Sequence, residues 1–500
     1  MTRIGSLSCE ASRGFARFAE RTAAMAVLSA AMMLGGLAPA PAQAQYTAFQ
    51  IPQPTSGQPP GLLTPVALNN LGQVLVTNFW GGPWPDRGLA LYANGATVAL
   101  NFPAGYHLTG FAGEWLLNDT GMAMWVGQLD TATGNFGLRP IVWQGGTARA
   151  ISLPMTPSDC GKRIANLPPE PPAYTPEMFN VEAVGLNRAG HILINACNTL
   201  WIVDSTGNVL MEGPPPHVVP QAGLQPVYFD WLGGNQLNDA DVASADTGIT
   251  GFPEGTHPGV LTGLSSFSPM PIDFGNALTI NNRNQLLVRV QPSGTTTGSC
   301  LLGTDSAVVD LGVCGVASLN NLGQVAFVTS NNLPRLYKDG NVLAVTLPPQ
   351  GNGIVFSGGP RGLNDAGQII GTDALGGGAV LLTPTGPCAA DATAQTTVRH
   401  AGLRLDPATG HYKTTVHVKN TGTTTLAAPV SVVLDRLPVS ASLVDTSGAT
   451  SCDPPAGSAY LDLPTSIAPG RTATATLEFI DPSGGRLRYT TRVLAGPGRR

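Results

Sequence analysis

Charged residues are scarce in this chain, and their scarcity excludes several classes of protein. Only 11% of the 500 residues are charged, with 26 Lys and Arg against 31 Asp and Glu. A disordered chain would carry more charge and less than this chain's 43% of hydrophobic residues. The chain also has a net charge of −5, whereas a nucleic-acid-binding protein usually carries a basic surface. We therefore predict a folded protein without a nucleic-acid partner.

Long apolar runs and periodic glycine are also missing. No stretch after residue 44 approaches the roughly 20 apolar residues that span a bilayer, so we predict no membrane span. Glycine does not recur at every third position, which excludes a collagen. The 62 glycines and 43 prolines instead make the chain dense in turns. A turn-dense globular protein of this composition is predicted to be all-β.

The first 44 residues have the features of a secretory signal peptide. An apolar, small-residue stretch at 23–37 ends shortly before the cleavage signal Ala42-Gln43-Ala44, and four arginines precede it: Arg3, Arg13, Arg17 and Arg21. A membrane anchor is the alternative, but the apolar run is short for a span. We predict cleavage after Ala44 and a secreted protein, periplasmic or extracellular, with a net charge of −7.

The cysteines fit an oxidising compartment. Cys9 leaves with the signal peptide, and an even number in an exported chain predicts disulfides. The six that remain fall into three neighbouring pairs, Cys160–Cys197, Cys300–Cys314 and Cys388–Cys452. The close spacing of zinc-binding cysteines is absent, so no metal site and no cofactor is predicted.

One phrase recurs seven times between residues 68 and 368. It consists of an apolar residue, Asn, a polar residue, any residue, a turn residue and an apolar run. The asparagines are Asn69, Asn118, Asn187, Asn238, Asn281, Asn320 and Asn364. We predict that each is a structural turn residue, because an Asn side chain can bond to the backbone of the residues that follow it.

The third residue after each asparagine indicates the shape of the turn. It is Gly in five copies, Asp241 in one and Asn284 in another. These residue types tolerate a left-handed backbone best, so we predict a positive φ at this position. The phrase then describes a short hairpin closed by a left-handed residue.

A second hairpin follows in several repeats, as at 140–154 and 335–348. Two hairpins in about 40–50 residues are typical of a propeller blade. We predict a seven-bladed β-propeller over residues 45–384, with an open β-solenoid as the alternative. The strand-like segment 46–51 could pair with residues 379–382 and close the ring, which would remove exposed sheet edges.

These residues resemble the HAF family of extracellular repeat proteins, whose units carry an I/L-N-x-x-G-Q-V-V-G phrase. The best match is Leu363-Asn364-Asp365-Ala366-Gly367-Gln368-Ile369-Ile370-Gly371. The His-Ala-Phe triplet of that family is missing from every copy, which makes this chain a divergent member. The resemblance implies a secreted repeat protein and supplies no catalytic residues.

The repeat stops after Pro384. Residues 385–395 read as a linker, and residues 396–500 alternate between apolar and polar side chains, as in Tyr412-Lys413-Thr414-Thr415-Val416. Six or seven such strands predict a small β-sandwich. It is similar to the immunoglobulin-like or fibronectin-type accessory domains of exported bacterial proteins.

Standard catalytic and nucleotide-binding motifs are absent from the sequence. Asp239, Asp241 and Asp246 are predicted to share one loop but lack the alternating ligands of a calcium loop. Asp119, Asp239 and Asp365 occupy the same turn position in three repeats and could form a carboxylate pair. Asn replaces them in other repeats, which favours solvated turn residues.

Tryptophan is the one uneven feature, because all seven lie between residues 80 and 231. Trp115, Trp125, Trp143 and Trp201 lie in apolar strands and are predicted core residues. Three others border Gly and Pro and form a candidate ligand-binding set, with core packing as the alternative: Trp80, Trp84 and Trp231.

These features together predict a monomeric, exported, non-catalytic binding or structural repeat protein. Its partner would be a polysaccharide or a surface protein. The alternative is a secreted propeller hydrolase or lyase that acts on extracellular polysaccharide.

Overall fold

A computed structural model describes residues of the chain from Gln43 onward. The described residues are 43–54, 63–77, 88–93, 95–108, 115–129, 138–153, 181–196, 199–213, 224–228, 236–249, 256–272, 275–290, 298–303, 307–347, 353–357, 359–373, 378–407, 411–438, 441–444, 446–452, 455, 457–463, 465–480 and 487–500. Regular structure in these ranges is β-strand apart from two 3₁₀ turns, Gly359–Arg361 and Thr393–Gln395. None of the described helices is long and apolar enough to cross a membrane.

Four small antiparallel sheets each draw their strands from one repeat. The first has the order β2 (Thr64–Leu68), β3 (Val74–Thr77), β4 (Leu89–Ala93), β5 (Ala96–Ala99). The second contains β6 (Tyr106–Leu108), β7 (Leu116–Leu117), β8 (Ala123–Leu129), β9 (Leu138–Gln144) and β10 (Thr147–Ala150). The third and fourth are β11 (Val181–Leu186), β12 (Ile192–Ala196), β13 (Thr199–Val203), β14 (Val209–Glu212) and β15 (Leu224–Tyr228), β16 (Ala243–Ile249), β17 (Thr256–Thr262), β18 (Ser266–Pro269).

The remaining strands of this half form one path of 11 strands that includes β1 (Gln43–Gln50). They are β19 (Asn276–Ile280), β20 (Leu286–Val290), β21 (Gly298–Gly303), β22 (Val308–Leu319), β23 (Val325–Thr329), β24 (Pro334–Lys338), β25 (Asn341–Thr346), β26 (Ile354–Phe356), β27 (Ile369–Asp373) and β28 (Gly378–Pro384). The path continues through β22 because its first part pairs with β21 and its second part pairs with β23.

The first strand closes the last sheet. Tyr46 to Gln50 of β1 pair antiparallel with Pro384 to Val380 of β28, and the Ile51 N–H donates to the Ala379 carbonyl at 2.9 Å. The predicted pairing of residues 46–51 with residues 379–382 is thereby confirmed. Strand β1 is thus hydrogen-bonded to the final repeat, which leaves β28 with a partner on both sides.

Hydrophobic clusters lie between consecutive sheets. Trp125 packs with β4 and β9 residues, whereas Trp201 packs in a cluster shared by the second and third sheets. A further cluster joins β27 and β28 to β2 and β3, so the last repeat also packs against the first. Trp125 and Trp201 are almost fully buried, and Trp115 and Trp143 are half-buried against the same cores. Each sheet therefore buries both faces against its neighbours.

The C-terminal residues form two more sheets, each with five strands. One contains β29 (Ala390–Asp391), β33 (Val430–Asp435), β35 (Gly448–Ala449), β36 (Ala459–Leu463) and β38 (Thr490–Ala495). The other contains β30 (Thr396–His400), β31 (Arg404–Leu405), β32 (Tyr412–Asn420), β34 (Ser442–Leu443) and β37 (Thr472–Ile480). Both contribute to one cluster, which includes Val416 and Phe479 from one sheet and Val432 and Val493 from the other.

The segment 385–395, predicted as a linker, participates in these sheets. Ala390 and Asp391 pair with Ala495 and Leu494, and Ala392 is buried in the shared core. Apolar burial and strand pairing therefore begin several residues before the predicted boundary.

Two disulfides connect described cysteines, Cys300–Cys314 and Cys388–Cys452, in the pairing that the sequence predicts. The first joins β21 to β22. The second joins Cys388, just before β29, to Cys452, just after β35. The third predicted pair, Cys160–Cys197, lies outside the described residues.

Candidate functional site: a closed ring of asparagine turns

The repeated phrase folds into the same tight turn in every copy. In the first, Asn69 Oδ1 accepts from the Leu71 and Gln73 N–H groups at 3.1 and 2.9 Å, while the Gly72 N–H donates to the Asn69 carbonyl. The residue three positions after each asparagine has a positive φ: Gly72, Gly121, Gly190, Asp241, Asn284, Gly323 and Gly367. The predicted left-handed position is confirmed.

The seven asparagines also bind one another's turns in a closed circle. The Nδ2 of each donates to the backbone carbonyl of the asparagine in the next repeat, and Asn364 donates to Asn69 at 3.0 Å to complete the circle. The other six bonds, at 2.9 to 3.3 Å, each join one asparagine to the next in the order Asn69, Asn118, Asn187, Asn238, Asn281, Asn320, Asn364. All seven side chains are buried. The asparagines therefore join the repeats as well as shaping the turns.

An isolated turn at Asp204 shows what the circle requires. Asp204 Oδ1 accepts from the Thr206 and Asn208 N–H groups, and Gly207 takes the left-handed conformation. This turn reproduces the local geometry but is exposed and lies outside the circle. An aspartate suffices there, because that turn needs only an acceptor for its own N–H groups. The circle needs asparagine, because its amide also donates to the next turn.

A second acceptor satisfies the asparagine amide in most repeats. Gln73, Gln285, Gln324 and Gln368 follow their asparagines by four positions, and each Oε1 accepts from the same Nδ2 at 2.7 to 2.9 Å. Asn187 and Asn238 have no such glutamine. Their amides donate instead to Asp241 Oδ1 and Asn284 Oδ1 of the next repeat, at 2.8 and 2.7 Å.

This exchange explains why glycine is replaced at two left-handed positions. A Cβ on Gly121 would lie 3.0 Å from Gln73 Oε1, and a Cβ on Gly323 would lie 2.6 Å from Gln285 Oε1. At these two positions the glutamine of the preceding repeat leaves room only for glycine. After Asn187 and Asn238, which lack the glutamine, Asp241 and Asn284 fill the space and supply the missing acceptor. After Asn118, Met122 takes the place of the glutamine and the next repeat keeps Gly190, where a Cβ would lie 3.2 Å from the Met122 Cε.

The residues that follow the asparagines form a second, inner set of links. In six of the seven, the backbone N–H donates to a side-chain oxygen in the next repeat: Asn70 to Asp119, Arg188 to Asp239, Asp239 to Asn282, Asn282 to Asn321, Asn321 to Asp365 and Asp365 to Asn70. Aspartate and asparagine alternate here because both provide an Oδ1 acceptor. The expectation that Asp365 is a solvated turn residue is wrong, since only 4% of it is exposed.

Burial and charge act on the carboxylates of this inner set. Burial raises the pKa of Asp365 to about 6, and repulsion from Asp119 adds to the rise. The two carboxylates are linked through one amide, because Asn70 Nδ2 donates to Asp119 Oδ2 and Asp365 Oδ2 at 2.8 and 2.7 Å. Burial also raises the pKa of Asp239, while the Arg188 charge opposes that rise. Both sets of residues line a polar cavity of about 120 Å³.

Arg188 interrupts the inner set, because its guanidinium has no acceptor atom for the Asp119 N–H. Its Nη2 instead donates to the Ala441 carbonyl of the C-terminal segment at 3.1 Å. A second contact joins the same parts, because a Cβ on Gly457 would lie 3.2 Å from the Leu71 Cα. The C-terminal segment thus contacts the turns of two different repeats.

Other predicted sites have different outcomes. Trp80, Trp84 and Trp231 lie outside the described residues. Asp246 is buried in β16, and its Oδ1 accepts from the Ala277 N–H at 2.8 Å, which separates its role from the Asp239 turn. No cluster of His, Cys, Asp and Glu able to hold a metal ion occurs among the described residues.

Comparisons with known proteins find likeness to solved structures alone. No family model matches the chain, and no curated protein is similar to it. Similar solved structures include a protein assigned as a gluconolactonase (15% identity, TM-score 0.29, 68% of this chain and 92% of that chain). A eukaryotic initiation factor (10%, 0.29, 85% and 92%) and Bacteroides ovatus xyloglucan PUL GH43B (10%, 0.24, 90% and 91%) are also similar. At these TM-scores the description of the fold rests on its own strand pairing.

The raised pKa of Asp365 predicts a pH dependence of stability. Because the folded pKa of about 6 exceeds the ordinary aspartate pKa of 3.8, the folded state holds the proton more tightly. Its contribution to the free energy of unfolding is therefore fully present below about pH 4, and about 3 kcal/mol of it is lost as the pH rises through 6. Asp365→Asn should remove this loss, so its stability relative to the native protein should rise with pH.

Urea unfolding at a series of pH values between about 4 and 7 measures this difference. Asp310→Asn is the matched control, because Asp310 is exposed and its Oδ1 likewise accepts a backbone N–H, that of Gly312. A stability difference for Asp365→Asn that stays constant with pH would contradict the prediction.

Proposed function

We propose that this chain is an exported, non-catalytic binding or structural protein, with a seven-bladed β-propeller at 45–384 and a β-sandwich at 396–500. The closed circle of seven asparagine turns supports seven blades. Two five-stranded sheets around one core support the sandwich. The two disulfides favour an oxidising compartment, which agrees with cleavage of residues 1–44 as a signal peptide.

The use of the central carboxylates is the observation that favours a non-catalytic role. Both oxygens of each accept hydrogen bonds from neighbouring repeats: Asp119 from Asn70, Asp239 from Arg188 and Asn282, Asp365 from Asn321 and Asn70. A general acid or base must instead reach the substrate proton that it transfers. These carboxylates hold the blades together.

The strand pairing of the first repeat supports binding at the end away from the asparagine turns. The connection that carries Trp80 and Trp84 leaves its sheet at the Thr77–Leu89 pair, whereas the Asn69 turn lies at the other end of the same strands. The C-terminal sheets contact the turn end. A polysaccharide or a surface protein would therefore bind at the opposite end, near the paired residues Thr77 and Leu89 that bracket Trp80 and Trp84 in the sequence.

A glycan array tests this proposal. We expect the native protein to bind a subset of polysaccharides and the triple variant W80A/W84A/W231A to lose that binding. Phe49→Leu is a suitable control, because Phe49 is 48% exposed on β1 and belongs to no proposed site. Binding that is indifferent to the three changes would contradict the tryptophan surface.

One observation favours the alternative, a hydrolase or lyase. The pKa of about 6 at Asp365 lies in the range of a general acid, and Asp365 lines the central cavity with Asp119. Release of reducing ends from a polysaccharide by the pure protein, abolished by Asp365→Asn, would support this second function.

A further inference from the structure

We propose that the exported protein begins with a pyroglutamate formed from Gln45. The inference rests on the proposed export, because cleavage after Ala44 makes Gln45 the first residue. Strand β1 divides at this point. Residues Gln43 to Gln45 pair parallel with Ala344 to Thr346, whereas Tyr46 to Gln50 pair antiparallel with β28. Cleavage thus removes two residues from the parallel ladder and leaves every ring-closing pair in place.

The position of Gln45 permits the cyclisation. Gln45 is exposed, and its carbonyl accepts from the Thr385 N–H at 2.7 Å, so its backbone is held in place while its side chain faces solvent. The newly freed α-amine attacks Cδ of the side-chain carboxamide. A bond forms between the amine nitrogen and Cδ, the bond from Cδ to Nε2 breaks, and ammonia leaves with a proton from the amine. The product is a five-membered lactam, and the step needs no oxidant or co-reactant.

The lactam protects the strand that closes the ring. Tyr46, the next residue, is 4% exposed, and its hydroxyl donates to the Gly367 carbonyl at 3.1 Å. An aminopeptidase that removed Gln45 and then Tyr46 would remove this anchor from the last repeat. A lactam has no free α-amine, so the cyclised end resists such enzymes and also loses its positive charge.

Mass spectrometry of the protein collected directly from a secreting host tests the proposal. We expect the N-terminal peptide to begin at Gln45 and to lack the mass of one ammonia. In Gln45→Ser the cleavage signal Ala42-Gln43-Ala44 is unchanged, but the new first residue cannot cyclise. We expect that variant to carry a free amine and to be shortened by an aminopeptidase that leaves the native protein intact.

Two results would overturn the proposal. A peptide that begins at Gln45 with its amide intact shows cleavage without cyclisation. A peptide that begins elsewhere contradicts cleavage after Ala44 as well. Neither result bears on ligand binding, which the glycan array measures independently.

Discussion

Asn320→Ala is expected to lower the free energy of unfolding by about 5 kcal/mol, the largest effect of any single change considered. Asn320 Oδ1 accepts from the Leu322 and Gln324 N–H groups at 3.1 and 2.9 Å, and its Nδ2 donates to the buried Asn364 carbonyl at 3.0 Å. Alanine leaves these three partners unsatisfied, and each such group costs about 1–3 kcal/mol when buried. Urea unfolding measures the loss.

Two matched substitutions separate the link between repeats from the turn itself. Asn320→Asp retains the acceptor of the turn but places a buried carboxylate against the Asn364 carbonyl, so we expect it to be strongly destabilising as well. Asp204→Asn makes the reverse change in the exposed turn and should alter stability by less than about 1 kcal/mol. Equal effects of the two changes would show that the circle of hydrogen bonds contributes nothing beyond the turns.

Removal of the Cys388–Cys452 disulfide is expected to have the second-largest effect. It closes a loop with a sequence separation of 64 residues, and constraint of the unfolded chain by such a loop is worth about 4 kcal/mol. The two cysteines also hold the chain end, because the Cys452 N–H donates to the Arg500 carbonyl at 3.0 Å and Cys388 bridges Arg499. Thermal unfolding of C388A/C452A measures the loss in Tm.

The second disulfide provides the control for this prediction. Cys300–Cys314 has a separation of only 14 residues, which corresponds to about 3 kcal/mol. Cys300 and Cys314 are buried, whereas Cys388 is exposed, so mild reductant should open Cys388–Cys452 first. If mild reductant opened Cys300–Cys314 first in the native protein, the predicted order of reduction would be wrong.

Much of the local structure follows from the sequence because it depends on neighbouring residues. A glycine that Asp or Asn alone replaces indicates a left-handed backbone, and all seven positions have a positive φ. The pairing of residues 46–51 with the final repeat was also predictable, because each would otherwise leave a strand edge without hydrogen-bond partners. The sequence also contains a signal for the circle, because the phrase keeps Asn in all seven copies while the next position varies. A turn alone would accept Asp, as the turn at Asp204 does.

Other features depend on residues that only the fold brings together. The sequence by itself determined the strands, the turns, the closing pair and two disulfides, since each arises from local backbone preference or from the spacing of like residues. The tertiary structure decided that Asp365 is buried between Asn70 and Asn321, that Arg188 binds the C-terminal segment, and that Asp241 replaces a missing glutamine. These contacts join residues up to 295 positions apart. Their energies come from burial and from acceptors in neighbouring repeats, and no pattern within one repeat contains that information.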